Sequence, residues 1–217
     1  MTVAAFPHWL ERIYAVPIAP RVDDFLVTDR DVARVLDTSP NPRACDEKLL
    51  LCELDGGLEL SLFIDEALIE RLRRNDPWSH LHEHNLGDFC VALEGVSHFH
   101  YVVHRASQSR QVTLLELELQ AEVDKYVVVH SVLRSQGKAA APRALRARMF
   151  DGVRFDETLW PDELDRYRDA NALARRYCEQ LETQFFGNRS RAAYFEELRC
   201  FYEMDQAAKL RRISKQS

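Results

Sequence analysis

The segment from residue 88 to residue 130 constrains the fold of this chain more than any other part of its sequence. Within it, apolar residues recur at alternating spacings of three and four, as Phe89, Ala92, Val96, Phe99, Val103 and Ala106. This repeat places them along one side of a helix, like the seam of a coiled coil. Because such a seam must be covered, we expect a bundle of packed helices.

Two parts of this segment also fit β-strands. Side chains alternate between two faces in residues 96–104, and leucines alternate with Glu and Gln in residues 112–120. In that alternative a row of histidines would lie opposite Glu116 and Glu118, as in a metal site of a β-barrel. We favour helices for both parts, because the runs are long for strands and Thr113 and Glu116 fit a capping box at a helix start.

A β-hairpin is predicted near residues 48–64. Two apolar runs, residues 48–54 and 58–64, flank the sequence Asp55-Gly56-Gly57. Glycine accepts the positive φ that tight hairpin turns require, so the two runs are expected to pair as antiparallel strands. A hairpin alone is marginally stable in water, and this one must pack against helices or further strands.

The second half of the chain carries helix signals. A helix start is indicated at residues 160–163, where a proline is followed by two acidic residues, and three/four spacing continues from there until Gly187. Ser190 can cap the last helix, and residues 137–142 form a linker of small residues.

These patterns together predict one α+β domain that is mostly α. Residues 1–84 form a mixed region that contains the hairpin, and residues 85–217 form a bundle, so that the fold is a bundle of four to five longer helices with a β-hairpin.

Composition excludes several classes of protein. The net charge of −6 disfavours a dedicated nucleic-acid binder, which would carry a basic face. No apolar stretch approaches the roughly 20 residues that span a bilayer, and the N-terminus lacks the pattern of a signal peptide. The five cysteines are scattered and odd in number, which indicates neither a disulfide framework nor a zinc ribbon. We expect a cytoplasmic protein with no nucleic-acid partner and no membrane insertion.

Titratable side chains are concentrated between residues 80 and 130, which hold seven of the eight histidines. If both long segments are helices, Glu94 and His98 share a face of the first, and Glu122 and His130 lie at or near the seam of the second. A carboxylate buried alone is strongly disfavoured, so Glu122 must find a partner, take a proton or bind a cation. Two antiparallel helices could bring these four side chains together as ligands of a divalent transition metal.

A structural interpretation of the same residues is simpler. The spacing Glu94-x-x-x-His98 is not the E-x-x-H of di-iron carboxylate bundles, and only one Glu/His helix pairing is evident where that architecture uses four helices. Glu94 and His98 would then be a surface pair, and Glu122 would pair with Lys125. On this interpretation the protein has no metal cofactor.

The remaining histidines of the segment are expected to be structural. His80, His82 and His84 form a short tract that resembles metal-binding His-rich sequences but is more typical of a solvated loop. His100 and His104 have the i, i+4 spacing of an H-E-x-x-H zinc helix without its glutamate. We expect these two to be hydrogen-bonded at the edge of the core.

The sequence favours a non-catalytic binding or interaction protein. It has no G-x-S-x-G nucleophile motif, no P-loop and no dinucleotide-binding G-x-G-x-x-G. Helices with heptad-like seams are consistent with a protein partner or with self-association as a homo-oligomer. The alternative is a metal-dependent enzyme or metal-binding protein with a Glu/His site between two facing helices. A third hypothesis is a small-molecule pocket between helices with histidines as proton-sensitive contacts.

Overall fold

A computed structural model describes residues 3, 5–17, 20–39, 43–54, 57–138, 141–156, 158–186 and 190–215. In chain order the elements are α1 (Ala5–Tyr14), β1 (Leu26–Val27), α2 (Arg30–Leu36), β2 (Glu47–Leu54), β3 (Gly57–Ile64), α3 (Glu66–Arg74), α4 (Glu83–Ser107), α5 (Leu114–Ser135), α6 (Pro142–Arg146), α7 (Pro161–Phe185), α8 (Arg191–Glu203) and α9 (Gln206–Ser214). The predicted class, an α+β fold that is mostly helical, is confirmed.

The first ambiguous segment is a helix, as we favoured, but α4 begins earlier than the predicted start at Asp88. His82 caps the helix, because its Nδ1 accepts the N–H of His84 at 3.2 Å. In return, Asn85 Oδ1 accepts the N–H of His82 at 2.9 Å. These reciprocal bonds satisfy backbone groups that a helix start leaves unpaired, and part of the His tract therefore serves as a helix cap.

The second ambiguous segment is also a helix. The Thr113 hydroxyl accepts the N–H of Glu116 at 3.1 Å, which is the first half of the predicted capping box. The second half does not form, because the Glu116 carboxylate accepts a hydrogen bond from Tyr101 at 2.5 Å and pairs with Arg105 at 3.3 Å. The glutamate is used in the core instead of at the helix end.

The predicted hairpin forms and gains a third strand. β2 and β3 pair antiparallel, with Glu47 opposite Ile64, and β1 adds to β3 in parallel, giving the order β1-β3-β2. The predicted turn residues Asp55 and Gly56 lie outside the described residues. Leu62 and Ile64 are fully buried in the main core, so one face of the sheet packs on the helices.

α4 is the central element of the fold. It packs against α1, α3, α5, β2 and β3, while α5 packs against α4 and α7. Gly95 lets the sheet approach α4, since a Cβ there would overlap the Glu47 carboxylate and lie 2.9 Å from Leu62 Cδ1. Because α4 and α5 are covered on most sides, polar side chains on faces that the sequence assigned to solvent are buried.

The C-terminal half is helical, as predicted. α7 packs against α5, α6, α8 and α9, and the predicted helix stop at Gly187 lies outside the described residues, as do residues 139 and 140 of the predicted linker. Over the ranges that the structure describes, none of the helices has the length and apolar character needed to cross a bilayer.

Candidate metal centre

Polar side chains of α4 and α5 meet in the interior. Glu94 and His98 lie one helical turn apart on α4, and Glu118 lies opposite them on α5. One ligand atom from each of these three residues lies within 4.8 Å of the others. Among the residues described, they form the only group of three or more His, Cys, Asp or Glu side chains close enough to share a metal ion.

The separation of His98 and Glu118 is long for a hydrogen bond and fits two ligands of one metal ion. His98 Nε2 lies 3.5 Å from Glu118 Oε2. Two ligand atoms that each lie about 2.1 Å from one ion are roughly 3 to 4 Å apart. His98 is only 6% exposed, and its Nε2 has no hydrogen-bond partner in the described part of the chain. Buried polar atoms are normally partnered, so this nitrogen is available to a ligand.

A third carboxyl group reaches the same place from the sheet. Glu47 lies at the start of β2, above Gly95, and its buried Oε2 has no hydrogen-bond partner among the described residues. Burial raises the pKa of Glu47 to about 8, a shift that His98 opposes and that Glu94 reinforces. Burial therefore favours the protonated form of this carboxyl group when no cation lies beside it.

Lys125 connects the group to Glu122. Its ammonium donates to Glu94 Oε2 at 2.7 Å and to Glu122 Oε1 at 2.8 Å. Burial raises the pKa of Glu122. Burial would lower the pKa of Lys125, but Glu94 and Glu122 outweigh it and hold this pKa well above its usual value. Glu122 therefore lies beside the three potential ligands and pairs with Lys125, as the structural interpretation predicted.

These side chains form one buried unit, which we call the Glu/His cluster: Glu47, Glu94, His98, Glu118, Glu122 and Lys125. Burial alone would lower the pKa of His98, but Glu118 and Glu47, together with Glu94, raise it to about 9. Even with His98 and Lys125 both charged, four carboxyl groups face two cations. Burying unbalanced negative charge is costly, so the cluster must take up protons or a cation.

The structure places His130 outside the cluster. It lies two helical turns beyond Glu122 on α5, roughly 12 Å along the helix axis. Its ring stacks on Phe186 with centroids 4.6 Å apart and on Tyr126 at 6.2 Å. Of the four residues predicted as metal ligands, Glu94 and His98 lie together, Glu122 lies beside them, and His130 lines a separate cavity.

The pair His100 and His104 is hydrogen-bonded, as expected. His100 Nδ1 lies 2.7 Å from the Tyr202 hydroxyl, and His104 Nε2 lies 2.8 Å from Glu203 Oε1. Both contacts link α4 to α8. Neither histidine belongs to the Glu/His cluster.

A second buried polar network fixes α4 and α5 relative to each other. Ser97, next to His98, donates to Asp124 at 2.5 Å, and Asp124 is next to Lys125. Burial raises the pKa of Asp124 to about 6, although the hydrogen bond from Ser97 opposes the shift. Lys209 of α9 is fully buried and bridges the two helices, since it donates to the Tyr101 hydroxyl of α4 at 2.9 Å and to Gln120 Oε1 of α5 at 2.8 Å. These bonds hold the two helices in register beside the cluster.

The helical interpretation of the sequence did not include two members of the cluster as ligands, and Glu118 was named opposite the histidines only in the strand alternative. Glu118 precedes Glu122 by four residues on α5, which repeats the spacing of Glu94 and His98 on α4, and this match was the available signal. Glu47 carried no signal, because it comes from a strand whose contact with α4 is set only by tertiary packing.

Comparisons with protein-family models, with curated proteins and with solved structures found no match to this chain. The function is therefore inferred from the geometry of the site.

Proposed function

We propose that this protein binds a divalent transition-metal ion through Glu94, His98 and Glu118, with the Glu47 carboxyl group beside them. The observation that carries the proposal is the buried Nε2 of His98, which has no hydrogen-bond partner among the described residues, faces one carboxylate at 3.5 Å and lies within 4.8 Å of a second ligand atom. A cation at this point would also balance the excess of carboxyl groups in the cluster.

The ligand set favours particular metals. One imidazole nitrogen with carboxylate oxygens suits Zn²⁺, Fe²⁺ or Mn²⁺, whereas Ca²⁺ and Mg²⁺ prefer sites built of oxygen alone. Three protein ligands leave a coordination position open, as in catalytic rather than structural zinc sites. Three protein ligands with one open position therefore support a metal-dependent enzyme as the more specific form of the metal-binding proposal. Solvent and substrates have only narrow access to the site, because the side chains of His98 and Glu118 are 8% and 10% exposed.

Metal binding can be tested on the full-length chain. Protein purified without an affinity tag should contain stoichiometric metal by elemental analysis. After chelation, Zn²⁺ or Mn²⁺ at 100 times its Kd should stabilise the fold by about 2.7 kcal/mol, and Ca²⁺ should not. For a chain of this size that corresponds to a rise in Tm of roughly 5 to 10 °C.

Substitutions separate this site from adventitious binding. His98→Gln and Glu118→Gln should each abolish the metal-induced rise in Tm. His104→Gln is the matched control, because His104 is a buried histidine of the same helix that bonds Glu203 outside the cluster. Circular dichroism establishes that each variant folds. The proposal fails if folded His98→Gln and Glu118→Gln proteins bind metal as the wild type does, or if the wild type binds none.

A non-catalytic interaction protein is the second candidate. The observation that favours it is an exposed apolar face on α2, where Val35 is 84% and Val32 is 47% exposed. Exposed apolar patches are typical of protein–protein contacts. The partner we propose is a second copy of this chain. Size-exclusion chromatography with light scattering should then show a dimer that Val35→Asp dissociates, and a strict monomer would refute the idea.

A further inference from the structure

A cavity of about 790 Å³ lies where α1, α5, the end of α7 and α8 meet, beyond the Glu/His cluster along α5. Small-molecule sites commonly have volumes in this range. Four arginines line it: Arg12, Arg134, Arg191 and Arg199. None of its described lining residues is acidic, although the chain as a whole carries a net charge of −6. The cavity is therefore locally positive.

The arginines that line this cavity have no acidic partner among the described residues. The Arg12 guanidinium lies over the Trp9 ring at 5.5 Å, and the Arg191 guanidinium lies over Phe195 at 5.4 Å. Arg199 uses its Nε to donate to the backbone carbonyl of Ile13 at 3.1 Å. These contacts position the side chains and leave terminal N–H groups for a ligand. A guanidinium binds carboxylate and phosphate in a bidentate manner.

Aromatic rings form another wall. Phe186 stacks on His130 at 4.6 Å and contacts the edge of Tyr194 at 5.6 Å. Tyr194 is only 8% exposed, lines the cavity, and has no hydrogen-bond partner for its hydroxyl in the described chain. The hydroxyl oxygen has almost no accessible surface, so Tyr194 contributes its ring to the cavity wall.

We propose that this cavity binds a small organic anion that carries a flat aromatic group. Its carboxylate or phosphate would be held by the arginines, and its ring would pack against Phe186 and its neighbours. The site is separate from the proposed metal centre. It also gives His130 a place in a ligand pocket.

Two pairs of probes test the chemistry and distinguish carboxylate from phosphate. The first pair is 2-naphthoate and its neutral counterpart 2-naphthamide, and the second is adenosine 5′-monophosphate and adenosine. Binding is measured by calorimetry and by the fluorescence of Trp9, which lines the cavity. At least one anion should bind at least tenfold more tightly than its neutral counterpart. The proposal is overturned if neither anion binds below about 1 mM, or if the neutral compounds bind equally well.

Variants locate the binding. Replacing Arg134 and Arg191 together by Gln should weaken the anion by at least tenfold, since hydrogen bonds to charged groups contribute about 1.5–3 kcal/mol. Arg168→Gln is the control, as this exposed arginine pairs with Asp165 on α7. Unchanged affinity in the arginine double variant would refute the assignment.

Discussion

Two glycines of α4 allow the packing above the Glu/His cluster to be tested within one helix. Both occupy helical backbone, where alanine is favoured over glycine by about 1 kcal/mol. A Cβ at Gly87 would meet no atom within 4 Å. A Cβ at Gly95 would overlap the Glu47 carboxylate and lie 2.9 Å from Leu62 Cδ1, where carbon atoms normally stay roughly 3.5–4.0 Å apart.

The two substitutions should therefore change the free energy of unfolding in opposite directions or by clearly different amounts. Gly87→Ala should raise the free energy of unfolding by about 1 kcal/mol. Gly95→Ala gains the same helix propensity but must displace Glu47 and a fully buried leucine, and overpacking a core costs about 1–3 kcal/mol. The expected result is unchanged or reduced stability, so the variants should differ by about 1–3 kcal/mol, which is 2–4 °C in Tm for each kcal/mol.

Urea unfolding of the two variants and the wild type, all in chelator, measures this difference. Metal titration of Gly95→Ala then reports whether displacing the Glu47 carboxylate weakens the metal centre. If Gly95→Ala stabilises the protein as much as Gly87→Ala does, the close approach of β2 to α4 is wrong. The place of Glu47 in the cluster would then be wrong as well.

Two further predictions concern the network and the cap that position α4. Burial lowers the pKa of Lys209 to about 7. At this residue the unfolded chain then binds one more proton than the folded chain between pH 7 and the ordinary lysine pKa of about 10.4, so Lys209 should contribute a rise in stability of about 1.4 kcal/mol per pH unit in that window. Lys209→Met should lower the slope of stability against pH by this amount relative to the wild type, and exposed Lys215→Met should leave the slope unchanged, as measured by denaturant unfolding from pH 7 to 9.5. Parallel slopes for Lys209→Met and wild type would contradict the burial of a neutral amine. Asn85→Ala removes three hydrogen bonds of 2.9–3.1 Å at the start of α4 and should cost about 2–3 kcal/mol, with faster hydrogen exchange confined to the first turn. A loss below about 0.5 kcal/mol in urea unfolding would show that the cap contributes little.

The local structure of this chain could be predicted because it follows from short-range pattern. The three/four spacing from Phe89 to Ala106 and the Thr113 cap specify helices, and the alternating runs around a glycine-containing turn specify the hairpin. These signals depend on residues a few positions apart, and the sequence displays them directly. The start of α4 was misjudged only because His82 and Asn85 are an uncommon capping pair.

The membership of the candidate site could not be predicted in the same way. Periodicity indicated that Glu94 and His98 share a face of α4. The groups that meet this face are set by the rotation and axial register of α5 and by the approach of β2. In the structure those choices bring Glu118 and Glu47 to His98 and carry His130 away to another cavity.

Sequence by itself determined where the backbone coils and where it pairs, since hydrogen bonds within a helix or hairpin are local. Only the tertiary structure decided that the polar face of α4 lies inside the protein. The sheet covers this face, because Gly95 has no side chain and lets β2 and β3 approach the helix closely. That burial turns an ordinary surface pair, Glu94 and His98, into part of a charged cluster in which carboxyl groups outnumber cations. The cluster must balance this excess with protons or with a bound cation, and that requirement is the physical reason to look for a metal ion there.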